Sequence, residues 1–286
     1  MDLSIVVPTY DTAEMTMRCC AAVVASMPRN SELIVVDDGS LDGTHELLRS
    51  RLPQARVIRL DTNSGFAPAA NAGIRATSGR IILLLNSDAI VAPDALAELL
   101  AAFDDPRTGV AGAQLMNEDG TLQWSGGRTP TLPWMIGVVS GAGRFVGRLR
   151  KKRSLGSGGD IDWVSGAAMA FRREVWDAVG PLSERYLFYC QDIEFCLAAR
   201  HAGWRVRIVQ GARVTHGLGR TVAANNALDH DPERLWPDLL TWGRSHYGKT
   251  WGTLARGVLV IAAWLRVIAQ PRQRAALKRA ARRLSQ

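Results

Sequence analysis

The stretch Arg80-Ile81-Ile82-Leu83-Leu84-Leu85-Asn86-Ser87-Asp88 is the most informative part of this chain. Its unbroken apolar run predicts a strand that is buried on both faces, as strands of a parallel sheet are. In open parallel sheets, ligands bind beyond the carboxyl ends of the strands. Asp88 therefore marks either the floor of a binding site or an ordinary turn, because Asn, Ser and Asp are also common turn residues.

Short β-rich runs alternate with helical stretches through the first hundred residues. Strands are predicted over residues 3–7, 32–36, 56–60 and 80–85. Helices are predicted over residues 12–26, 43–52, 66–77 and 94–103. This alternation predicts an α/β fold with right-handed crossovers, in which helices flank a doubly wound, mostly parallel sheet.

The pattern is less regular in the second half of the chain. Further strands are predicted over residues 109–115, 121–125, 161–172 and 204–209, with an interruption at Ser165-Gly166, and helices over 173–179 and 191–202. Residues 126–159 are rich in Gly, Pro, Arg and Lys and predict a long excursion or mobile lid. We expect a first domain over residues 1–220, with halves of about 1–115 and 116–220, and a helical C-terminal extension over 221–286.

Composition limits the class of protein. With 286 residues and 47% hydrophobic content, the chain is long enough to bury a sizeable core. Its four cysteines form no CxxC pair, so we expect free thiols in a reducing compartment and no structural zinc. No basic region precedes the first apolar run and no segment reaches 18 consecutive apolar residues. These features predict a cytoplasmic protein.

The net charge of +8 is concentrated in two places. One patch contains Arg144, Arg148, Arg150, Lys151, Lys152 and Arg153, and the other contains Arg272, Arg274, Lys278, Arg279, Arg282 and Arg283. Without these patches the rest of the chain is net acidic. Local basicity of this kind predicts contact with an anionic surface, although a solvated charged face is the alternative.

An apolar stripe precedes the second basic patch. Between Trp251 and Ala269, apolar residues recur at helical spacing at Leu254, Val258, Ile261, Leu265 and Ile268. Such a helix can lie in the headgroup layer of an anionic membrane, which would make the protein peripheral on the inner face of the cell membrane. It can equally pack against its own domain or a second subunit.

Polar residues also end the first two predicted strands. Pro8-Thr9-Tyr10 ends the first strand and Asp37-Asp38 ends the second, at the same sheet edge as Asp88. Carboxylates there can accept hydrogen bonds from ribose hydroxyls or a base N–H, or they can simply form turns. The chain contains no GxGxxG after the first strand and no P-loop. A diphosphate, if one binds, would instead need Mg²⁺ or Mn²⁺ held by Asp88.

Six motifs occur in an order that resembles a known family. They are PTYD (8–11), VVDDGS (35–40), NSGFAPAANAGI (63–74), LLLNSD (83–88), the segment VSGAAMAF to GWRV (164–206) and VTHGLGRT (214–221). Together they resemble glycosyltransferase family 2 on the GT-A fold, especially its bacterial rhamnosyltransferase-like members. The resemblance covers about residues 3–220.

The resemblance implies roles for individual residues. Asp88 and His216 would contact the metal or diphosphate, and Asp192 would be the catalytic base. The nucleotide-sugar would be bound by Pro8, Thr9, Tyr10, Asp37, Asp38, Asn71, Asn86, Ser87, Trp163 and Gly166. Three positions depart from the family pattern: Asn86 replaces an acid of the metal motif, Gln191 replaces an acid before the base, and Ala70 stands where relatives often carry Arg or Asn.

The implied activity is metal-dependent, inverting transfer of a sugar. The donor would be a dTDP- or UDP-sugar, with rhamnose as the expected sugar. The acceptor would be a hydroxyl of a cell-surface glycan or lipid-linked saccharide precursor in cell envelope polysaccharide biosynthesis, with no nucleic acid involved. Asp192 would take the acceptor proton, and the helix dipole is expected to lower its basicity. On its residue type alone, Asp192 is equally an N-cap.

Two other functions are compatible with the residues. A noncatalytic adaptor would bind anionic lipid or nucleic acid through the basic patches. A nucleotidyltransferase on a similar sheet would release diphosphate from a nucleoside triphosphate.

Overall fold

The computed structural model describes residues 1–141, 160–217 and 232–285, which belong to two compact units. We call the first the sheet unit; its described residues are 1–128, 160–184 and 191–217. We call the second the helical unit; its described residues are 129–141, 185–190 and 232–285. The helical unit thus draws on three segments of the chain. The predicted division into domains near residue 220 stays a prediction.

The sheet unit is built on one eight-stranded sheet, in the order β3-β2-β1-β4-β9-β6-β10-β5. Its strands, with a separate short pair β7 and β8, are β1 (Leu3–Thr9), β2 (Ser31–Asp37), β3 (Ala55–Arg59), β4 (Ile81–Leu85), β5 (Ala89–Val91), β6 (Thr108–Met116), β7 (Gly126–Gly127), β8 (Trp163–Val164), β9 (Ala168–Arg172) and β10 (Arg205–His216). Neighbouring strands are parallel from β3 through β2 and β1 to β4, and β6 is parallel to β10. Strand β9 pairs antiparallel with both β4 and β6, and β5 pairs antiparallel with β10. The predicted α/β sheet, mostly parallel, is confirmed.

Some helices connect the strands of the sheet unit, and others form the helical unit. Within the described residues they are α1 (Ala13–Ser26), α2 (Thr44–Arg51), α3 (Phe66–Arg75), α4 (Ala95–Ala101), α5 (Leu132–Ser140), α6 (Arg173–Val179), α7 (Gln191–His201), α8 (Pro232–Tyr247), α9 (Lys249–Ala269) and α10 (Arg274–Ser285). The helical unit contains α5, α8, α9 and α10 together with residues 185–190.

The centre of the sheet is fully buried. All seven residues of β1 and all five of β4 are buried, which is why β4 is a continuous apolar run and β1 is mainly apolar apart from Ser4 and Thr9. Burying one Leu or Ile side chain contributes about 1.5–3 kcal/mol, so these two strands are major sources of stability. Because β2, β1 and β4 are parallel neighbours, their carboxyl ends meet at one edge.

One predicted strand is wrong and one prediction lies partly outside the described residues. Residues 121–125 form no continuous strand and make a single bridge between Met116 and Leu122, because the Ser125 hydroxyl, and not a backbone carbonyl, accepts from the Leu115 N–H and so interrupts the ladder with β6. Residues 126–141 are not a structureless excursion, since they contain β7 and α5. The remainder of the predicted lid, including the first basic patch, lies outside the described residues.

Within the helical unit, α9 packs against α5, α8 and α10. Its packed face consists mainly of small and aliphatic residues, Ala255, Leu259, Ala262, Ala263 and Val267. The same face carries Arg266, which is only 8% exposed. Its guanidinium donates to the Val138 carbonyl at 3.0 Å and lies 5.9 Å from the Trp236 ring centroid. Arg266 therefore fixes α9 against α5 and α8.

Candidate active site

The polar ends of β1, β2 and β4 form one edge of the sheet. Thr9 at the end of β1 lies opposite Asp37 at the end of β2, and β4 continues into Asn86, Ser87 and Asp88. The strand order therefore gathers residues that are about 30 to 80 positions apart in sequence, as parallel connectivity requires. The edge that the sequence predicted is confirmed.

Asp88 and His216 are paired at this edge. Asp88 Oδ1 lies 3.3 Å from His216 Nε2, and the two side chains are only 6% and 12% exposed. The pairing follows from the sheet, since Ala89 of β5 is in antiparallel register with His216 of β10. Two sequence motifs 128 residues apart thus meet because β5 folds back as the edge strand beside β10.

Gln123 determines which nitrogen of His216 carries the proton. Its amide nitrogen donates to Asn117 Oδ1 at 3.0 Å and to the His216 carbonyl at 3.3 Å, so its Oε1 faces His216 Nδ1 at 2.8 Å. Nδ1 therefore donates and, in neutral imidazole, Nε2 presents a lone pair. An imidazole nitrogen and a carboxylate oxygen, both possible ligand atoms, therefore lie 3.3 Å apart.

The residues at this place fit a divalent cation. Asn86 Nδ2 lies 3.2 Å from His216 Nε2, while Asn86 Oδ1 is buried and has no hydrogen-bond partner among the described residues. Carboxylate and amide oxygens suit Mg²⁺ or Mn²⁺, and imidazole suits transition metals. No group of three or more His, Cys, Asp or Glu side chains with metal-binding geometry occurs in the described part of the chain. A cation here would thus take few protein ligands and leave positions for substrate phosphates, as Mg²⁺ commonly does.

Asp192 lies in the first turn of α7. Its Oδ2 accepts from the Gly166 N–H at 2.9 Å and its Oδ1 from the Ile193 N–H at 2.8 Å. Burial raises the pKa of Asp192 above its ordinary value, although hydrogen bonds from these two N–H groups oppose the rise. The sequence predicted lowered basicity from the helix dipole; that expectation is wrong because desolvation outweighs the N–H groups that favour the charged carboxylate. The N-cap alternative also fails, since α7 begins at Gln191.

A short path of hydrogen bonds connects Asn86, two residues before Asp88, to Asp192. The Asn86 N–H donates to the Ala167 carbonyl at 3.0 Å, and the adjacent Gly166 N–H donates to Asp192. This path exists because β9 pairs antiparallel with β4, with Ala168 opposite Leu85. Both carboxylates consequently lie at the same end of the sheet.

The Thr9 hydroxyl is used inside the fold. Its Oγ1 lies 2.7 Å from Thr12 Oγ1 and 2.6 Å from Thr16 Oγ1, and the residue is 4% exposed. Thr12 Oγ1 also lies 3.4 Å from Ser87 Oγ, which connects the cluster to the turn after β4. Of its neighbours, Pro8 is buried and Tyr10 is partly exposed. Their predicted contacts with a nucleotide stay predictions.

Asp37 and Asp38 both organise the loops around them. Asp38 accepts from the N–H of Ser64, the hydroxyl of Ser64 and the N–H of Gly65, at 2.7–2.9 Å. Asp37 is fully buried and accepts from the Ser40 N–H at 3.0 Å, with Arg59 Nη1 3.4 Å from its other oxygen. Each carboxylate thus shapes the edge, and nucleotide binding by either one stays a prediction.

Gly39, between these carboxylates and the next loop, is required by its conformation. Its φ is +76°, and a Cβ at this position would lie 2.8–2.9 Å from the backbone of Thr62 and Asn63. We expect Gly39→Ala to lower the free energy of unfolding by about 2–3 kcal/mol, from left-handed strain plus the clash. Gly43→Ala is the matched control, since its φ is +83° but nothing lies within 4 Å of a Cβ there. Equal losses in urea unfolding would show that the clash with residues 62–63 is absent.

Three predicted binding residues have structural contacts in the fold. Asn71 is fully buried, and its amide bonds the Leu182 N–H, the Leu182 carbonyl and Glu184 Oε1 at 2.8–3.0 Å. It therefore positions residues 182–184, and its expected contact with the sugar donor stays a prediction. Trp163 is 6% exposed and donates to the Arg128 carbonyl at 3.1 Å.

Gly166 and Trp124 lie beside these residues. A Cβ at Gly166 would lie 3.5 Å from Asp192 Cβ, so the absence of a side chain leaves space beside the carboxylate of Asp192. Trp124 packs edge-on against Trp163, with centroids 5.0 Å apart, and is 38% exposed. Neither Trp124 nor Gln123 was predicted, because both fall in the segment that the sequence assigned to a strand.

An open cavity of about 440 Å³ adjoins the Asp88–His216 pair. Its lining includes Asp88 and Gly217 together with a cationic and a further anionic side chain; the lining residues are Met15, Arg18, Asp88, Ile90, Glu118, Thr215 and Gly217. Asp88 is thus accessible from a space large enough for part of a small ligand.

A separate carboxylate in the helical unit organises residues 185–190, which lead directly into α7. Asp238 of α8 is 2% exposed and accepts from the successive N–H groups of Leu187, Phe188 and Tyr189 at 2.8–2.9 Å. Burial raises the pKa of Asp238, opposed by these three hydrogen bonds. No sequence pattern predicted this role, because Asp238 lies in an ordinary amphipathic helix.

Removing the Asp238 carboxylate should leave three backbone donors without their acceptor. We expect Asp238→Ala to lower the free energy of unfolding by about 3 kcal/mol, since each unsatisfied buried donor costs about 1–3 kcal/mol. Asp177→Ala, at an exposed helical carboxylate, is the control and should change stability by less than about 0.5 kcal/mol. A loss below about 1 kcal/mol for Asp238→Ala in urea unfolding would show that water replaces the carboxylate.

The sheet topology and the carboxylates at its edge define a GT-A glycosyltransferase, the class that solved structures of the same fold also represent. A mannosyltransferase from Pyrobaculum calidifontis, in complex with GDP-Man and Mn²⁺, superposes with a TM-score of 0.63 at 20% identity, over 98% of this chain and 75% of that one. GalNAc-T7 with UDP, GalNAc and Mn²⁺ superposes with a TM-score of 0.58 at 20% identity, over 76% of this chain and 44% of that one.

Sequence comparison places the chain more closely. The sequence model of glycosyl transferase family 2 matches residues 4–180, and the chain belongs to this family. It is also 27% identical over 250 residues to the N-acetylglucosaminyl-diphospho-decaprenol L-rhamnosyltransferase of Mycobacterium tuberculosis. That alignment covers 80% of this chain and 81% of the relative. The protein is a glycosyltransferase of the bacterial rhamnosyltransferase-like type.

Proposed function

We propose that this protein is an inverting, metal-dependent glycosyltransferase that moves rhamnose from a dTDP- or UDP-linked donor to a hydroxyl of a lipid-linked saccharide. The observation that carries the proposal is the placement of Asp192 and the Asp88–His216 pair at one end of the sheet. The sugar and the acceptor are proposed from the relative that acts on N-acetylglucosaminyl-diphospho-decaprenol. Such a product would serve cell envelope polysaccharide biosynthesis.

Asp192 is the proposed general base. The acceptor hydroxyl donates its proton to the carboxylate of Asp192 while its oxygen bonds to the anomeric carbon and the bond to the diphosphate breaks. Attack from the face opposite the leaving group inverts the anomeric configuration. The burial that raises the pKa of Asp192 makes it a stronger base than an exposed carboxylate, and the Gly166 and Ile193 N–H groups hold it in place.

Asp88, His216 and the Oδ1 of Asn86 are the proposed cation ligands. A bound Mg²⁺ or Mn²⁺ would supply positive charge to stabilise the departing nucleoside diphosphate. Gln123 keeps the imidazole of His216 oriented with Nε2 toward Asp88. The chain's own contribution is thus to fix one anionic and two neutral ligands before substrate arrives.

The decisive experiment measures nucleoside diphosphate release from UDP-, GDP- and dTDP-sugars with Mn²⁺ or Mg²⁺, with and without a polyprenyl-diphosphate-linked N-acetylglucosamine. We expect dTDP- or UDP-rhamnose to be turned over, faster with the acceptor, and EDTA to stop the reaction. Silence with every donor in the presence of acceptor would contradict the proposal. Diphosphate release from a nucleoside triphosphate would instead identify a nucleotidyltransferase, and binding without any turnover would identify an adaptor.

A further inference from the structure

Helix α9 exposes a continuous apolar stripe. Its members recur at helical spacing and are 40–74% exposed: Leu254, Val258, Ile261, Leu265 and Ile268. At 100° per residue these five positions fall within an arc of about 80°. They are the residues that the sequence predicted as one helical face, and the structure leaves this face outside the packed interior of the helical unit.

The packing of the helical unit does not require this stripe. The opposite side of α9 is the one buried against α5, α8 and α10, through residues such as Ala255, Leu259 and Ala263. A row of large aliphatic side chains on the outside costs free energy unless another apolar phase or surface covers it. The stripe therefore requires an external partner.

The charge around the stripe indicates what that partner is. Residues 249–286 contain nine Lys and Arg residues and no Asp or Glu. In α10, Arg274, Arg279, Arg282 and Arg283 are exposed, and Glu233 of α8 neutralises part of this charge by pairing with Arg279 and Arg283. An apolar helix face whose packed neighbour carries exposed positive charge complements an anionic lipid surface.

Other occupants fit these features less well. A second copy of the chain would bring the same positive segment against itself, and nucleic acid offers no aliphatic surface to Leu254, Ile261 or Ile268. Among the described helices, α9 alone is long and apolar enough to cross a membrane, yet 39% of its most apolar part is buried within the protein. Crossing would break the hydrogen bond between Arg266 and the Val138 carbonyl.

We propose that α9 lies in the plane of an anionic bilayer, with the five-residue stripe inserted among the acyl chains and the basic residues of α10 supplying electrostatic attraction. Trp264 and Tyr247, 37% and 40% exposed, are aromatic side chains of the kind that occupy the membrane interface. This orientation would present the enzyme to substrates that are themselves membrane-embedded, but the proposal does not depend on any transfer activity.

The test is co-sedimentation of the full chain with lipid vesicles. We expect binding to vesicles of phosphatidylcholine mixed with phosphatidylglycerol, little binding to phosphatidylcholine alone, and release by salt. The double variant Ile261→Glu/Leu265→Glu should lower the partition coefficient at least about tenfold. Both side chains are at least 60% exposed, so its melting temperature should not change. The matched control is Leu41→Glu in the sheet unit, where the leucine is 88% exposed, and it should bind vesicles like the parent.

Three results would overturn the proposal. The double variant could bind anionic vesicles as tightly as the parent, which would remove the stripe from the interaction. The parent could instead sediment as a dimer that the double variant converts to a monomer without vesicle binding, which would make a second copy the partner. Retention of the parent in vesicles after an alkaline carbonate wash would indicate a spanning helix.

Discussion

Asp192→Asn is expected to lower kcat for sugar transfer by about 10²- to 10⁴-fold, the usual contribution of a positioned general base. The amide keeps the shape of the side chain and an oxygen for one of the two N–H groups, but it cannot accept the acceptor's proton. The KM for the sugar donor should change little, because Asp192 acts on the acceptor. The measurement is steady-state transfer with both substrates varied.

The pH dependence tests the same role separately. Because burial raises the pKa of Asp192, its carboxyl stays protonated to a higher pH than an exposed aspartate, and the base is then inactive. The acid limb of kcat against pH should therefore lie above the ordinary aspartate range, and the residual activity of Asp192→Asn should lack that limb. Stability depends on pH in the opposite direction from kcat. Folding favours the protonated form of Asp192, so this contribution to the free energy of unfolding is lost as pH rises through the raised pKa.

The control for this variant is Asp177→Asn, which changes an exposed aspartate of the same unit. It should retain parental kcat. If Asp192→Asn also retains kcat to within about threefold while remaining folded, Asp192 is not the base and the proposed mechanism fails.

Asp88→Ala is expected to lower kcat/KM for the sugar donor by about 10²- to 10³-fold, since a cation contributes several kcal/mol of charge stabilisation at the leaving group. Asp88→Asn keeps an oxygen ligand without its charge, so its loss should be smaller and partly recovered by higher Mn²⁺ concentration. The measurement is donor turnover against Mn²⁺ concentration.

A second readout separates cation binding from catalysis. Mn²⁺ affinity, measured by electron paramagnetic resonance in the presence of nucleoside diphosphate, should fall in Asp88→Ala and stay unchanged in Asp94→Asn, where the aspartate is exposed. Full activity of Asp88→Ala that EDTA still abolishes would place the cation elsewhere. Parental activity insensitive to EDTA would remove the metal from the mechanism.

Much of the fold could be predicted because the sequence of its central strands is determined mainly by their burial. Burial on both faces makes β4 continuously apolar and β1 mainly apolar, and polar residues end each strand at the edge where the site lies. The helix α6 was predicted at its observed bounds, between a strand and Gly180. The segment 121–125 was mispredicted because the Ser125 hydroxyl, and not a backbone carbonyl, accepts from the Leu115 N–H, so that pairing with β6 stops after a single bridge.

The site was predictable in its identities but less so in its contacts. The Asp88–His216 pair and the position of Asp192 follow the order of motifs, which strand connectivity brings together. The roles of Gln123, Asn71 and Asp238 depend on which backbone groups happen to lie opposite them, and no local pattern encodes that. The pKa of Asp192 was predicted with the wrong sign because burial is a property of the folded chain.

The amide of Gln123 has an implication for how this enzyme could diversify. An amide has no charge to gain or lose near neutral pH, so it sets the donor side of the His216 ring without making that choice sensitive to acidity. An acidic side chain in the same place would push electron density toward Nε2 of His216 and strengthen the binding of a cation by that nitrogen. Cation preference could therefore drift through substitution at a position that touches neither substrate nor metal.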